Sequence, residues 1–235
     1  MRATPLAGVD GCRGGWLLVT EDLNGELRAR VHPNAAQLLE GLPESALIGI
    51  DIPIGLPPAG LRTCDQQARQ QLGRPRMSSV FSAPLRPCLD ARDFVEAGAI
   101  RHAIEGRKIS LQTFNIMRKI REIDLLLRAD QRLSERLVEV HPEVSFSVWN
   151  GARPMTHRKT TREGREERRG LIESAWPGKL EQLRENLPAN SYGSDDLHDA
   201  IAVLWSIRRF AAGNAITFGP VGERDALGLP MRIVA

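Results

Sequence analysis

Leu6-Ala7-Gly8-Val9-Asp10, Gly11-Cys12-Arg13-Gly14-Gly15 and Trp16-Leu17-Leu18-Val19-Thr20 read in succession as strand, turn and strand. Both apolar runs are of strand length, and the glycines between them supply the positive φ that a tight turn needs. Asp22-Leu23-Asn24-Gly25 then carries the Asn-Gly hairpin signal. Residues 26–32 alternate polar and apolar, as a half-buried third strand should. Asn34 is placed to cap a helix over residues 35–42. Ala46-Leu47-Ile48-Gly49-Ile50-Asp51 follows as a buried strand, stopped by Pro53 and Pro57.

Beyond residue 61 the period changes. Residues 65–72 and 90–105 are helical and flank a loop over 74–87. Residues 109–133 form a long amphipathic helix with Ile116, Ile120, Ile123 and Leu127 on one face. A fifth strand is expected over 136–140, ended by His141-Pro142, then a charged loop leading into a helix near 156–170. Residues 194–210 make a last helix that is apolar on most sides and hence buried. Three strands in meander, a helix, a strand and further helix-strand-helix is the element order of a ribonuclease H-like α/β domain. The expected fold is a single such domain, 1–235, with a mixed five-stranded sheet, flanking helices and residues 61–135 as a large helical insertion.

Composition fits this reading. Of 235 residues, 42% are hydrophobic and 26% charged, as in ordinary globular proteins. The formal net charge of +3 permits a nucleic-acid partner without requiring one. Cys12, Cys64 and Cys88 lie far apart with no C-x-x-C pair, which argues against a disulfide framework or a zinc site and for a reducing compartment. With no signal-like leader and no membrane-length apolar run, the expected location is the cytoplasm.

Four carboxylates stand where strands or helices end: Asp10 after strand one, Asp51 after strand four, and Asp196 and Asp199 in the first turns of the last helix. Positions three apart on a helix share nearly one face. Such a cluster suits magnesium or manganese, hard cations that prefer oxygen ligands. Two ions roughly 3.5–4 Å apart can hold both the attacking water and the leaving oxygen of a phosphodiester. Each acid also has a local reading. Asp10 and Asp51 are turn formers by position, and acids such as Asp195 and Asp196 are favoured at any helix start. Asp199 is different, because it lies in an apolar run where an unpaired carboxylate is expensive.

Glu139, Glu143 and His141 form a second tier around the fifth strand, and His198 has the same metal-binding or acid–base potential. Arg13 in the glycine turn and Lys159 in the basic stretch are candidate phosphate contacts. That stretch (Arg158, Lys159, Arg162, Arg165, Arg168, Arg169) is interleaved with Glu163, Glu166 and Glu167, the pattern of a solvated helix face. Aromatic residues total only 5%, so no base-stacking platform is evident, and the four tryptophans read as core.

Gly8-Val9-Asp10-Gly11-Cys12-Arg13-Gly14-Gly15-Trp16 and Ile50-Asp51-Ile52-Pro53-Ile54-Gly55-Leu56 resemble the opening blocks of domain-of-unknown-function family 429. Ser78-Ser79-Val80-Phe81, the start of the long helix, Val138-Glu139-Val140-His141-Pro142-Glu143 and Asp195-Asp196-Leu197-His198-Asp199-Ala200 continue the match. Members are often described as predicted ribonuclease H-like nucleases. The closing segment is also similar to the end of bacterial Holliday-junction resolvases, which implies that Asp10, Asp51, Asp196 and Asp199 take the places of their metal ligands. The long insertion has no counterpart there, so neither junction specificity nor a shared homodimer geometry follows. The expected activity is metal-dependent hydrolysis of DNA or RNA phosphodiesters. A non-catalytic nucleic-acid or metal-binding module is the alternative. Phosphotransfer of the actin or sugar-kinase type is disfavoured, since it needs a second Asp-Gly turn that the sequence lacks.

Overall fold

The alternation of the first fifty residues resolves into strands in a computed structural model that describes residues 4–235. β1 (Leu6–Cys12), β2 (Gly15–Glu21) and β3 (Leu27–His32) form the antiparallel meander. α1 (Ala35–Glu40) starts on Asn34, whose side chain accepts the Gln37 N–H at 2.9 Å. β4 (Leu47–Ile50) pairs parallel to β1, and β5 (Leu137–Glu139) parallel to β4, giving the spatial order β3-β2-β1-β4-β5. The fold is therefore α/β, with the mixed five-stranded sheet and element order of a ribonuclease H-like domain.

Between β4 and β5 the described residues hold no strand, only α2 (Thr63–Arg76), α3 (Phe94–Glu105), α4 (Leu111–Ala129), α5 (Leu133–Arg136) and two 3₁₀ turns. The end of regular helix in α2 agrees with the expected 72, since Gly73 has a left-handed φ of 57°. Several other boundaries differ from the periodicity reading, each for a local reason. α3 starts at Phe94 and not at residue 90, because the Asp93 carboxylate caps it by accepting the Glu96 N–H at 2.8 Å. α4 starts after Ser110, whose hydroxyl accepts the Thr113 N–H at 3.0 Å. It stops before Asp130, which leaves helical geometry and accepts the Arg132 N–H at 3.0 Å.

After β5 come α6 (Pro142–Trp149), α7 (Arg162–Ala175), α8 (Lys179–Glu185) and α9 (Ser194–Ala211). α6 was not expected from the sequence. Pro142 ends the strand, but it also opens a helix at the one position where its missing N–H costs nothing. Two short strands, β6 (Thr217–Phe218) and β7 (Ile233–Val234), pair near the C-terminus, and Val234 bridges to Val140 beside the main sheet. Two of the four tryptophans are not full core residues: Trp149 and Trp205 are half-buried and stack on each other with centroids 4.8 Å apart.

The sheet is covered on both faces. Ala7, Val9, Ile48 and Ile50 pack with Leu38 of α1 and with Ile120 and Ile123 of α4. Leu17 and Val19 pack on the other face with Ile172, Leu180, Leu197 and Leu204 of α7, α8 and α9. Side chains alternate along a strand, so Gly8, which pairs with Gly49, points toward α9. A methyl on Gly8 would overlap the Ala200 carbonyl and the Leu204 amide, and one on Gly49 would overlap Val203 and Ile207. These paired glycines let α9 lie directly on the strand backbones. Two residues further along, on the same face and at the same ends of adjacent parallel strands, stand Asp10 and Asp51. Pairing continues that far, since the Asp51 N–H donates to the Val9 carbonyl at 3.0 Å. Asp199 precedes Ala200 on the helix that the glycines admit.

Candidate active site

Asp10, Asp51 and Asp199 thus come from three elements to one end of the sheet. Asp10 is 7% exposed and Asp199 3%. The Asp10 Oδ1 accepts its neighbour Gly11 N–H at 2.7 Å. Burial, and then the charges of Asp51 and Asp199, hold the Asp10 carboxyl well above the ordinary carboxylate range. Burial and then Asp199 push Asp51 up to about 7. The cation in contact with this group is Lys159, whose Nζ lies 2.5 Å from Asp199 Oδ2. Burial works against the ammonium, but Asp199, Asp10 and Asp51 together hold its pKa above the usual value. Asp199 Oδ1 is buried and has no hydrogen-bond partner among the described residues.

Asp196 stands at the margin of the cluster. Its Oδ2 accepts the Gly193 N–H at 2.8 Å, so it serves the start of α9. Burial, with Asp199 adding to it, still raises its carboxyl, and its charge is felt at Asp10.

Each second-tier acid is paired with a buried arginine. Glu139 holds the buried Arg62 guanidinium through two bonds of 2.7 Å and also accepts the Ile54 N–H at 2.7 Å. Arg62 meets Asp65 at 2.5 Å as well. Glu143 pairs with Arg168 at 2.5 Å. Arg168, read from the sequence as part of a solvated face, is 1% exposed. His141 places its Nε2 3.3 Å from the Ser79 carbonyl, and burial lowers its pKa. His198 is buried against Arg184, and burial followed by that guanidinium lowers it to about 4. Arg13 is exposed, reaches the Asn190 carbonyl at 3.3 Å, and lines a depression with Gly14, Arg118 and Lys119 apart from the main cleft.

Asp51 and Asp199 line a cleft of about 470 Å³ together with His141 and Glu143. Arg158 and Lys159 line it together with Arg76, Ser79, Phe81 and Gln112 of the helical insertion. A second cavity of about 240 Å³ adjoins it at Asp51, Phe81 and His141, and contains Asp10, Asn115 and Lys119. Sequence reasoning missed the insertion's contribution to the site. The repeated Gly-x-Asp, Gly8-Val9-Asp10 and Gly49-Ile50-Asp51, at the ends of two buried strands, is a second sequence signal for the acid pair that strand-end position had already picked out.

A family profile described as "Protein of unknown function (DUF429)" matches residues 8–224. The chain belongs to this family. All the acids of the cluster, both glycines that admit α9 and the whole β4–β5 insertion fall inside the span that defines a DUF429 protein. No curated protein and no solved structure matches the chain. Among the described residues of this DUF429 member, no helix is long and apolar enough to cross a membrane.

The raised carboxyls carry a pH dependence. An Asp51 pKa near 7 when folded, against about 3.9 when unfolded, means the native state binds more protons in that window. This contribution to stability is present below about pH 4 and is lost as pH rises through about 7. In chelator, the wild-type Tm is expected to fall between pH 5 and pH 8, and Asp51→Asn to flatten that slope. At pH 8 the variant should gain about 2 kcal/mol, discounted for a partly exposed group, or roughly 4–8 °C in Tm. Parallel melting curves across the pH range would contradict the raising of the Asp51 carboxyl by burial and by Asp199.

Proposed function

We propose that this protein is a magnesium- or manganese-dependent hydrolase of nucleic-acid phosphodiesters, acting in the cytoplasm. The observation that carries the reading is the excess of carboxylate over cation at buried Asp10 and Asp199 and half-buried Asp51, with the Asp199 Oδ1 left without a partner among the described residues. Among the described residues no three His, Cys, Asp or Glu side chains form a group that could hold an ion in their present positions. The donor chemistry nonetheless fits, because these are hard oxygen ligands whose mutual repulsion a divalent cation relieves. Asp10, Asp51 and Asp199 would hold it, with Asp196 completing the set. When bound, such ions supply Lewis acidity and a nucleophilic hydroxide at neutral pH. Lys159 and Arg158 are placed to take phosphate oxygens at the rim of the same cleft.

The Lys159–Asp199 contact favours a second reading, a nucleic-acid-binding module in which lysine serves as the permanent counter-ion. Incubation of the purified protein with labelled DNA and RNA in magnesium or manganese decides between them. Cleavage that chelator stops is the expected result. Intact polymer, with manganese demonstrably bound, would favour the module.

A further inference from the structure

We propose that the cleft takes a single nucleic-acid strand or an unpaired end, and excludes continuous duplex, because the β4–β5 insertion walls the acids in. The identity of the polymer rests on the hydrolase reading above. The geometry of the wall does not.

Three observations define that wall. Arg76, at the end of α2, donates to the carbonyls of Met155 at 2.9 Å and Thr156 at 2.5 Å, strapping the insertion to the loop that carries Arg158 and Lys159. That loop is itself fixed, since the Thr156 and His157 amides donate to Glu167 at 2.7 and 3.0 Å. On the insertion side, Arg69 donates to the Val80 carbonyl at 2.7 Å and the Ser82 hydroxyl at 3.0 Å, bracketing Phe81. Hydrogen bonds thus tie the insertion to the 155–167 segment beside the cleft that Arg76 and Asp199 both line.

Size points the same way. A space of about 470 Å³ joined to one of about 240 Å³ has the dimensions of a small-molecule pocket, roughly 300–1,000 Å³. The two compartments meet at Asp51, with Arg158 and Lys159 on one side and Asn115 and Lys119 on the other. A phosphodiester at the acids would therefore have a nucleoside in each compartment. Phe81, half-buried and lining both, is the aromatic surface on which a base can stack.

The test measures binding and cleavage in the same samples, at fixed ionic strength with manganese, for three oligonucleotides of one sequence: single strand, blunt duplex, and duplex with a single-stranded overhang. The single strand and the overhang are expected to bind about 10-fold or more tightly than the blunt duplex. Phe81→Ala should weaken single-strand binding about 5-fold or more with an unchanged melting curve, and Phe81→Trp should restore it. Arg76→Ala, which releases the strap, should narrow the preference for single strand. Equal affinity for all three, no binding of any, or Phe81→Ala without effect on a folded protein would overturn the proposal. Duplex cut as fast as single strand would overturn it while sparing the hydrolase reading. Tight single-strand binding without cleavage would support it and count against hydrolysis alone.

Discussion

Asparagine in place of Asp199 is expected to abolish metal-dependent cleavage, a loss of at least roughly 100-fold, the scale set by removing one charge-stabilising group. The amide has the same shape, so the packing of α9 on Gly8 and Gly49 survives. What disappears is the charge that meets Lys159 and the buried oxygen that has no other partner. Stability should change little. The Lys159 side chain is 43% exposed and can turn to water, and partly exposed ion pairs contribute only about 0–1 kcal/mol. Steady-state cleavage assays and thermal melts of the same preparation check both halves. Retained cleavage would remove Asp199 from the mechanism. A collapse in Tm would make its pairing with Lys159 structural.

Glu139→Gln is expected to do the opposite. Glu139 and Arg62 are both buried, joined by two short bonds, and Glu139 also receives the Ile54 amide. Removing one partner leaves a buried guanidinium with Asp65 as its remaining carboxylate and the Ile54 and Gly55 carbonyls as acceptors, which costs about 3–5 kcal/mol. In a chain of this size that lowers Tm by roughly 10 °C. Cleavage per folded molecule should persist below the transition, because the Glu139 carboxylate is held by Arg62 and the Ile54 amide and not by the acid cluster. A variant with wild-type Tm and no cleavage would place Glu139 in the catalytic set after all.

The contrast between these two acids marks what the sequence discloses and what it withholds. Apolar runs of strand length, the alternation of residues 26–32 and the Asn-Gly turn are local signals, and they identify β1 to β4 to within two residues. The shift to helical period likewise marks 61–135 as free of strands. Asp199 stands out because an aspartate inside Leu197–Ile207 has no local excuse. Glu139 and Glu143 are obscure for the converse reason: their partners, Arg62 and Arg168, lie far along the chain, and Arg168 is embedded in a run whose composition mimics a solvated face. Asp196 shows a double commitment that spacing alone does not separate, helix start and cluster margin together. The insertion's role in walling the cleft is a purely tertiary fact, fixed by side chains such as Arg76 that reach across 79 residues to the Met155 carbonyl.

On the proposed function, Asp10, Asp51 and Asp199 are held together at a cost that a divalent ion would relieve. Titration of manganese into the chelator-treated protein, followed by thermal melting of wild type and Asp10→Asn side by side, tests it most directly. At manganese near 100 times Kd, binding to the native state alone adds about 2.7 kcal/mol. The wild-type Tm should then rise by roughly 5–10 °C, and the rise in Asp10→Asn should be at most half of that. Equal shifts in the two proteins, or no shift in either, would contradict the account.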